Sequence, residues 1–453
     1  MTGPTNEDLV AEAFFYGFPL VFNLEQVERF LTEGIGSLPA APPNVFSHAV
    51  QLAGPADTFV SVNNDTVYSI AQIDTGGGPV RLDVPEAHGR YYVLQFVDAW
   101  TNNFAYVGHR ATGTDAGSFL LVPPGWEGQE PADATVIRLP TVVASIVGRW
   151  AVAGEDDLPA VAALQEALTL TPTGPGAGLP AADPRVADDL AFFERLRVAM
   201  AAFPPAERDL PVQERLRPLG LLAPESPFVD PDPELAQALR TGLASNRQAM
   251  EAALHNEASP TVNGWKLTYH LFDYNLDFFE VGALDDAAWK IEDPKLRYIQ
   301  RALAARAGLW GNHGYEAAYA MVYEDADGAP LDGAHGYRLR FDAPPPVRAF
   351  WSVTMYDLPD FFLIDNAIGR YSIGDRTPGL VHGTDGSLTI TLQPDAPHDP
   401  PPRPTRPPPP AAPPPPLPPR PHPPLPPHAP PRPRPPPPAD PPPPPPAPAP
   451  PPP

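Results

Sequence analysis

The densest run of chemically capable side chains is Asn63-Asn64-Asp65-Thr66, with Tyr68 just beyond. Two readings are open for it. Asn and Asp tolerate left-handed backbone angles and bond back to their own main chain, so the run can be a plain strand-to-strand turn. Alternatively Asp65 is a general base or ligand anchor and Tyr68 projects into the same cavity, with Asn64 as a polar contact. A second cluster comprises Arg90-Tyr91-Tyr92, Gln95, Asp98, Trp100 and Asn102-Asn103. On a strand, Tyr92, Leu94, Phe96 and Asp98 share one face while Tyr91, Val93, Gln95 and Val97 share the other, so several of these aromatics must be core. Asp98, Trp100 and Asn102, at alternate positions near a strand end, can form a stacking floor with polar edges for a neutral hydroxyl-bearing or aromatic ligand. Arg110 can clamp a carboxylate in fork geometry; a surface ion pair is the competing reading on so acidic a chain.

Other chemistries are narrowed by what the chain lacks. It has no Cys, which removes disulfides, thiolate zinc sites, iron–sulfur clusters and cysteine nucleophiles. There is no Gly-x-Ser-x-Gly elbow, no phosphate loop ending in Gly-Lys-Ser/Thr and no His-Glu-x-x-His. The eleven His are scattered, with no pair at metal-ligand spacing on one helix face. The expectation is therefore no metal and no cofactor.

The elements that must hold these residues change period along the chain. Thr5 and Asp8 have the spacing of a helix cap, and Leu9, Ala13, Tyr16 and Leu20 recur at helical intervals. Gly17 and Pro19 are expected to kink or break that helix. From Phe59 to Leu139 short β-branched and aromatic runs alternate with turn signals, the pattern of an antiparallel sandwich or barrel. After Trp150 the pattern is helical, over 158–168, 186–200 and 234–254, and again over 294–309 with Leu296, Ile299, Leu303 and Ala307 on one face. Strands return over 317–324, 337–341, 350–355, 361–364 and 388–392.

Of the 72 Pro in 453 residues, 37 fall between Pro400 and Pro453. That tail has almost nothing to bury, so disorder is expected there. Without its five Arg and one Asp, the body holds 25 basic and 53 acidic residues, a formal charge of −28. So acidic a body repels phosphate backbones, which disfavours nucleic acid as a partner. No apolar run approaches the ~20 residues that span a bilayer, and Met1 to Val10 lacks a basic and apolar leader; the expectation is a cytoplasmic protein with no membrane partner.

Several stretches together resemble a known bacterial family. Asn64-Asp65-Thr66-Val67-Tyr68-Ser69, Arg90-Tyr91-Tyr92-Val93-Leu94-Gln95 and Asp98-Ala99-Trp100-Thr101-Asn102 look like domain of unknown function 1254. Phe350-Trp351-Ser352-Val353-Thr354-Met355-Tyr356-Asp357, Asn366, Arg370 to Thr377 and Asp385-Gly386-Ser387-Leu388 look like its companion, domain of unknown function 1214. The resemblance implies two β-rich domains flanking a helical segment, and it supplies no catalytic residue. Family members normally continue past the position of Pro397 with an Asn-Trp-Leu-Pro-like stretch and a last aromatic strand. Here the tail replaces it, and every tail residue type has a C-containing codon, as a shifted reading frame in GC-rich DNA would produce. A polyproline II extension is the competing reading.

The resulting expectation is an α+β, mainly β protein: two antiparallel β-sandwich or jelly-roll-like domains, a helical segment between them and a disordered Pro-rich tail. The boundaries are 1–55 for N-terminal helices and loop, 56–150 for the first β-rich domain, 151–310 for the helical region, 311–397 for the second, truncated β-rich domain, and 398–453 for the tail. Functionally, the expectation is an enzyme, with hydrolysis the favoured class, acting on a small polar or aromatic molecule in a pocket of the first β domain. Asp65 and Tyr68 would be catalytic, and Asn64, Tyr92, Trp100, Asn102 and Arg110 would bind. The alternative is a non-catalytic small-molecule-binding or assembly protein, and a homo-oligomer stays open.

Overall fold

The computed structural model describes residues 5–255, 260–274, 277–287 and 290–395; the Pro-rich tail lies outside them. Among the described residues stand six α-helices: α1 (Asn6–Thr32), α2 (Leu158–Glu166), α3 (Ala191–Ala202), α4 (Leu210–Arg215), α5 (Pro233–His255) and α6 (Pro294–Gly308). Thr5 starts α1 with a reciprocal cap: its hydroxyl accepts the Asp8 N–H at 3.2 Å, and the Asp8 carboxylate accepts the Thr5 N–H at 3.0 Å. The expected break at Gly17 and Pro19 does not occur, and one helix runs through both. A Cβ on Gly17 would lie 2.4 Å from the Leu196 side chain, so this glycine lets α3 approach. Packing against α3, α5 and α6 outweighs the single backbone bond that Pro19 removes.

The first β region is a sandwich. Its strands are β1 (Ser47–His48), β2 (Thr66–Asp74), β3 (Val80–Val84), β4 (Tyr92–Asp98), β5 (Asn103–Gly108), β6 (Gly117–Val122), β7 (Thr135–Arg138), β8 (Val143–Ala151) and β9 (Thr169–Pro172). One sheet has the order β1-β2-β8-β4-β5, antiparallel throughout; the other has the order β7-β6-β3-β9, with β6 and β7 parallel. Between them lie Val67, Ala71, Leu82, Leu94, Phe96, Leu121, Ile146 and Trp150, all buried. Burying such side chains stabilises by roughly 1.5–3 kcal/mol each. Side chains alternate across each strand, so the five-stranded sheet turns a second, polar face outward from this core: Tyr68, Gln72, Gln95, Ser145 and Arg149.

β8 is the longest of the strands that the sequence pattern did not declare. It lies centrally between β2 and β4 and pairs with both along its length. Its signal was present in the run Val-Ala-Ser-Ile-Val-Gly-Arg-Trp-Ala, whose alternation puts Val143, Ser145, Val147 and Arg149 on one face. The expected strand at 59–62 is instead a turn, where Phe59 stacks on Trp310 at 5.3 Å.

The remaining strands are short: β10 (Thr261–Val262), β11 (Trp265–Leu267), β12 (Ala320–Met321), β13 (Tyr337–Phe341), β14 (Ser352–Thr354), β15 (Ser372–Gly374) and β16 (Leu388–Leu392). They form one three-stranded sheet, β10-β11-β12, and two antiparallel pairs, β13-β16 and β14-β15. The chain is thus a mixed α and β fold built mainly of open antiparallel sheets, and Met1–Ala396 makes one compact unit. No helix among the described residues is long and apolar enough to cross a membrane.

The face expected for α6 is also different. Arg297, Tyr298, Arg301 and Leu303 are buried, whereas Leu296 and Ile299 are 42% and 38% exposed. The cause is aromatic packing: the Arg301 guanidinium lies 5.5 Å from the Trp100 ring and 5.7 Å from Tyr16, and Tyr298 donates to Asp209 at 2.6 Å.

Candidate functional site

The Asn63–Thr66 run is a turn, as its own main-chain bonds require. The Asn63 side-chain oxygen accepts from the Asp65 N–H at 3.1 Å, the Thr66 N–H at 3.0 Å and the Thr66 hydroxyl at 2.9 Å. That leaves Asp65 free to face elsewhere. Its carboxylate accepts the Ser352 hydroxyl from β14, and the Arg376 guanidinium lies 3.9 Å away while donating to the Asp65 carbonyl at 2.8 Å. Burial raises the Asp65 carboxyl above its ordinary value, against the opposing pull of Ser352 and Arg376. Asn64 accepts from the Ser372 hydroxyl at 3.1 Å, and Tyr356 donates to the Val62 carbonyl at 2.9 Å. The C-terminal strands therefore close over the end of β2.

Beside this seam stands Arg149. On β8 it is level with Tyr68 of β2 and Val93 of β4. Its two terminal nitrogens donate to the Gln95 side-chain oxygen at 2.7 Å and to the Trp310 carbonyl at 2.8 Å, and its guanidinium lies 5.5 Å from the Tyr68 ring. The hydroxyls of Tyr68, Tyr319 and Tyr91 are its electrostatic neighbours, and Tyr356 in turn faces Tyr68, Asp65 and Tyr319. Burial pushes the Tyr91, Tyr319 and Tyr356 hydroxyls upward. Yet Tyr319 remains 36% exposed, and Arg149, Tyr68, Tyr91 and Tyr356 are half-buried. Desolvated hydroxyls and partly exposed rings thus gather about one guanidinium, a candidate aromatic cleft with Arg149 at its floor.

The cleft is framed by a second ion pair. Glu316, nearly buried, accepts from Arg110 and, at 2.8 Å, from the Tyr91 hydroxyl. Arg110 was expected to clamp a ligand carboxylate; here it clamps the chain's own Glu316, donates to the Gly282 carbonyl at 2.8 Å and covers the Tyr315 ring at 4.5 Å.

Of the other residues singled out from sequence, Asn64, Asp65 and Tyr68 meet at the seam, and three do not. Tyr92 is on the opposite sheet face, 1% exposed and stacked on Trp150 at 4.7 Å, because alternation along β4 turns it into the sandwich core. Trp100 is 3% exposed and donates to the Phe203 carbonyl at 2.9 Å. Asn102 is spent on Asp98, which accepts its backbone N–H at 2.8 Å and its side-chain N–H at 2.9 Å. Arg149, Glu316, Tyr319, Ser352, Tyr356 and Arg376 escaped the sequence reading as site residues. Ser352, Tyr356 and Arg376 lay in stretches singled out for their resemblance to a domain, and Arg149 in the alternating run of β8.

Among the described residues no group of three His, Asp or Glu side chains converges as a cation site would require. A separate cavity of about 30 Å³, lined by Asn23, Gln72 and Ser145, has room for little more than a water molecule. It includes the Gln72 side chain, whose amide nitrogen has no protein partner.

Residues 43–172 match the model of a protein of unknown function, domain of unknown function 1254, and residues 316–405 match domain of unknown function 1214. The two matches follow one another along the chain in that order. It is similar in fold to the VPA0106 protein of Vibrio parahaemolyticus, with 21% identity, a TM-score of 0.59 and coverage of 85% of this chain and 88% of that one. A putative uncharacterized protein from Burkholderia cenocepacia aligns over 86% of this chain and 79% of that one, at 12% identity and a TM-score of 0.40. No curated relative matches the sequence.

Proposed function

We propose that the protein binds a small polar or aromatic molecule in the cleft between the five-stranded sheet and the C-terminal strands. The observation that carries this is the group Tyr91, Tyr319 and Tyr356 near Arg149 and Tyr68, whose hydroxyls are desolvated while their surfaces stay reachable. Rings and hydroxyls in one concave surface supply stacking together with a few directional bonds, the usual recipe of a small-molecule site. Tyr319→Ala, at the exposed side, is expected to weaken binding of a small aromatic fragment at least about tenfold, read by ligand-detected NMR. Unchanged binding in that variant overturns the location.

Asp65 favours a catalytic version of this reading. A carboxylate raised by burial, next to a serine hydroxyl and at the edge of the cleft, has the chemistry of a general base. Hydrolysis of a small ester or amide is the reaction class to screen. Any turnover found is expected to vanish in Asp65→Asn while ligand affinity stays within about tenfold. Loss of thermal stability with turnover retained makes Asp65 a structural residue and leaves the binding reading.

A further inference from the structure

We infer that the ligand of this cleft is an organic anion, an aromatic monocarboxylate, held by Arg149. The inference rests on the cleft being a ligand site and adds the charge and class of what enters it. Three cationic side chains border the cleft, and two are already matched. Arg110 is paired with Glu316, and Arg376 lies against Asp65. Arg149 is different. Among the described residues none of the ion pairs involves it; its bonds go to a neutral amide oxygen and a neutral carbonyl. In a body of formal charge −28, a half-buried guanidinium without a carboxylate contrasts with the paired Arg110 and Arg376. Taking a cation out of water without a counter-charge is costly, and a site that keeps one is set to receive an anion.

The surroundings select the kind of anion. Arg110 and Arg376 are taken up by Glu316 and Asp65, so among the described residues Arg149 is the one unmatched cation of the three, and a single carboxylate balances it where a dianion would leave an excess negative charge. The Tyr68 hydroxyl accepts from the Asn63 backbone N–H at 3.2 Å and side-chain N–H at 2.9 Å, leaving its own proton to donate. That hydroxyl is a neighbour of the guanidinium, so two donor groups stand side by side. The walls are rings: Tyr91 meets Phe350 edge-on at 5.4 Å, and Tyr319 meets Phe272 edge-on at 5.6 Å. A planar ring bearing one carboxylate satisfies both the floor and the walls.

The test compares benzoate and 4-hydroxybenzoate with benzamide and 4-hydroxybenzamide on the full chain, by calorimetry or ligand-detected NMR at low salt. The acids are expected to bind about 10- to 100-fold more tightly than the neutral amides. Arg149→Gln is expected to abolish that preference and Arg149→Lys to retain part of it, since a lysine keeps the charge and loses the fork. Because the acid–amide comparison is made on the unaltered protein, it stands even if Arg149→Gln fails to fold. Amides that bind as well as acids overturn the anion inference and leave the cleft as a ligand site. Failure of both acids and amides to bind overturns both.

Discussion

The Ser352 hydroxyl donates to the Asp65 carboxylate across 287 positions of sequence, joining β14 to the turn that opens β2. With Arg376 on the Asp65 carbonyl and Ser372 on Asn64, it holds the C-terminal strands over the polar face of the five-stranded sheet. The same closure brings Tyr356 to the carbonyl of Val62, beside Tyr68.

Asp65→Ala removes the acceptor of Ser352 and leaves a half-buried hydroxyl unpaired. Hydrogen exchange of the amides of β14 and β15 is expected to accelerate, with the first sandwich unchanged. Asp65→Asn retains an acceptor oxygen and is expected to preserve the protection. Equal acceleration in both variants would show that the charge, rather than the hydrogen bond, closes the seam.

The Arg110–Glu316 pair is enclosed on the glutamate side, where the side chain is 2% exposed against 27% for the arginine. Removing one partner of such a pair strands the other, so Glu316→Ala is expected to cost roughly 3–5 kcal/mol in urea unfolding. The double variant with Arg110→Ala is expected to cost less than the two single losses added together. Additivity would mean that the two side chains do not stabilise one another.

Burial raises the Asp98 carboxyl from 3.8 to about 6. A folded value above the unfolded one means that the native state keeps the proton longer. Stability from this group is therefore lost as pH rises from about 4 through 6. His313 acts in the opposite sense: burial lowers it to about 3, so its contribution is lost as pH falls below 6.5. Comparing the protein with Asp98→Asn cancels the histidine. The stability difference between them is expected to shift by roughly 2–3 kcal/mol in favour of the variant between pH 4 and 7. Parallel stability curves would show that Asp98 titrates normally.

Gly148 precedes Arg149 in the middle of β8. A Cβ there would come 2.7 Å from the Ser69 carbonyl oxygen and 2.9 Å from Leu94. Gly148→Ala is expected to destabilise by about 1–3 kcal/mol and to weaken ligand binding by displacing Arg149. A variant as stable as the parent would mean that the sheet relaxes around the methyl group.

Much of the sandwich is legible in the sequence alone. Runs such as Val67–Ile73, Val80–Val84 and Tyr91–Val97 declare their strands through β-branched and aromatic residues between turn signals, and the Thr5–Asp8 cap declares α1. Such signals are local, set by neighbours a few residues apart. Asn64, Asp65 and Tyr68 were legible as candidates for the same reason, since they share one turn.

Their partners were not. Ser352, Tyr356, Arg376 and Glu316 lie more than 200 residues away from the groups they meet, and no local pattern encodes such pairing. Alternation put Tyr92 opposite Val93, yet the sheet's packing chose which face became core. Composition pointed to Leu296 and Ile299 as the buried side of α6, whereas the rings of Tyr16 and Trp100 drew in Arg301 instead. Residue type and spacing thus determined the strands, the capped helix and the polar turn. Tertiary packing alone decided which charges were matched, because burial and counter-charge are properties of what lies across space: it neutralised Arg110 and left Arg149 with neutral partners at the cleft floor.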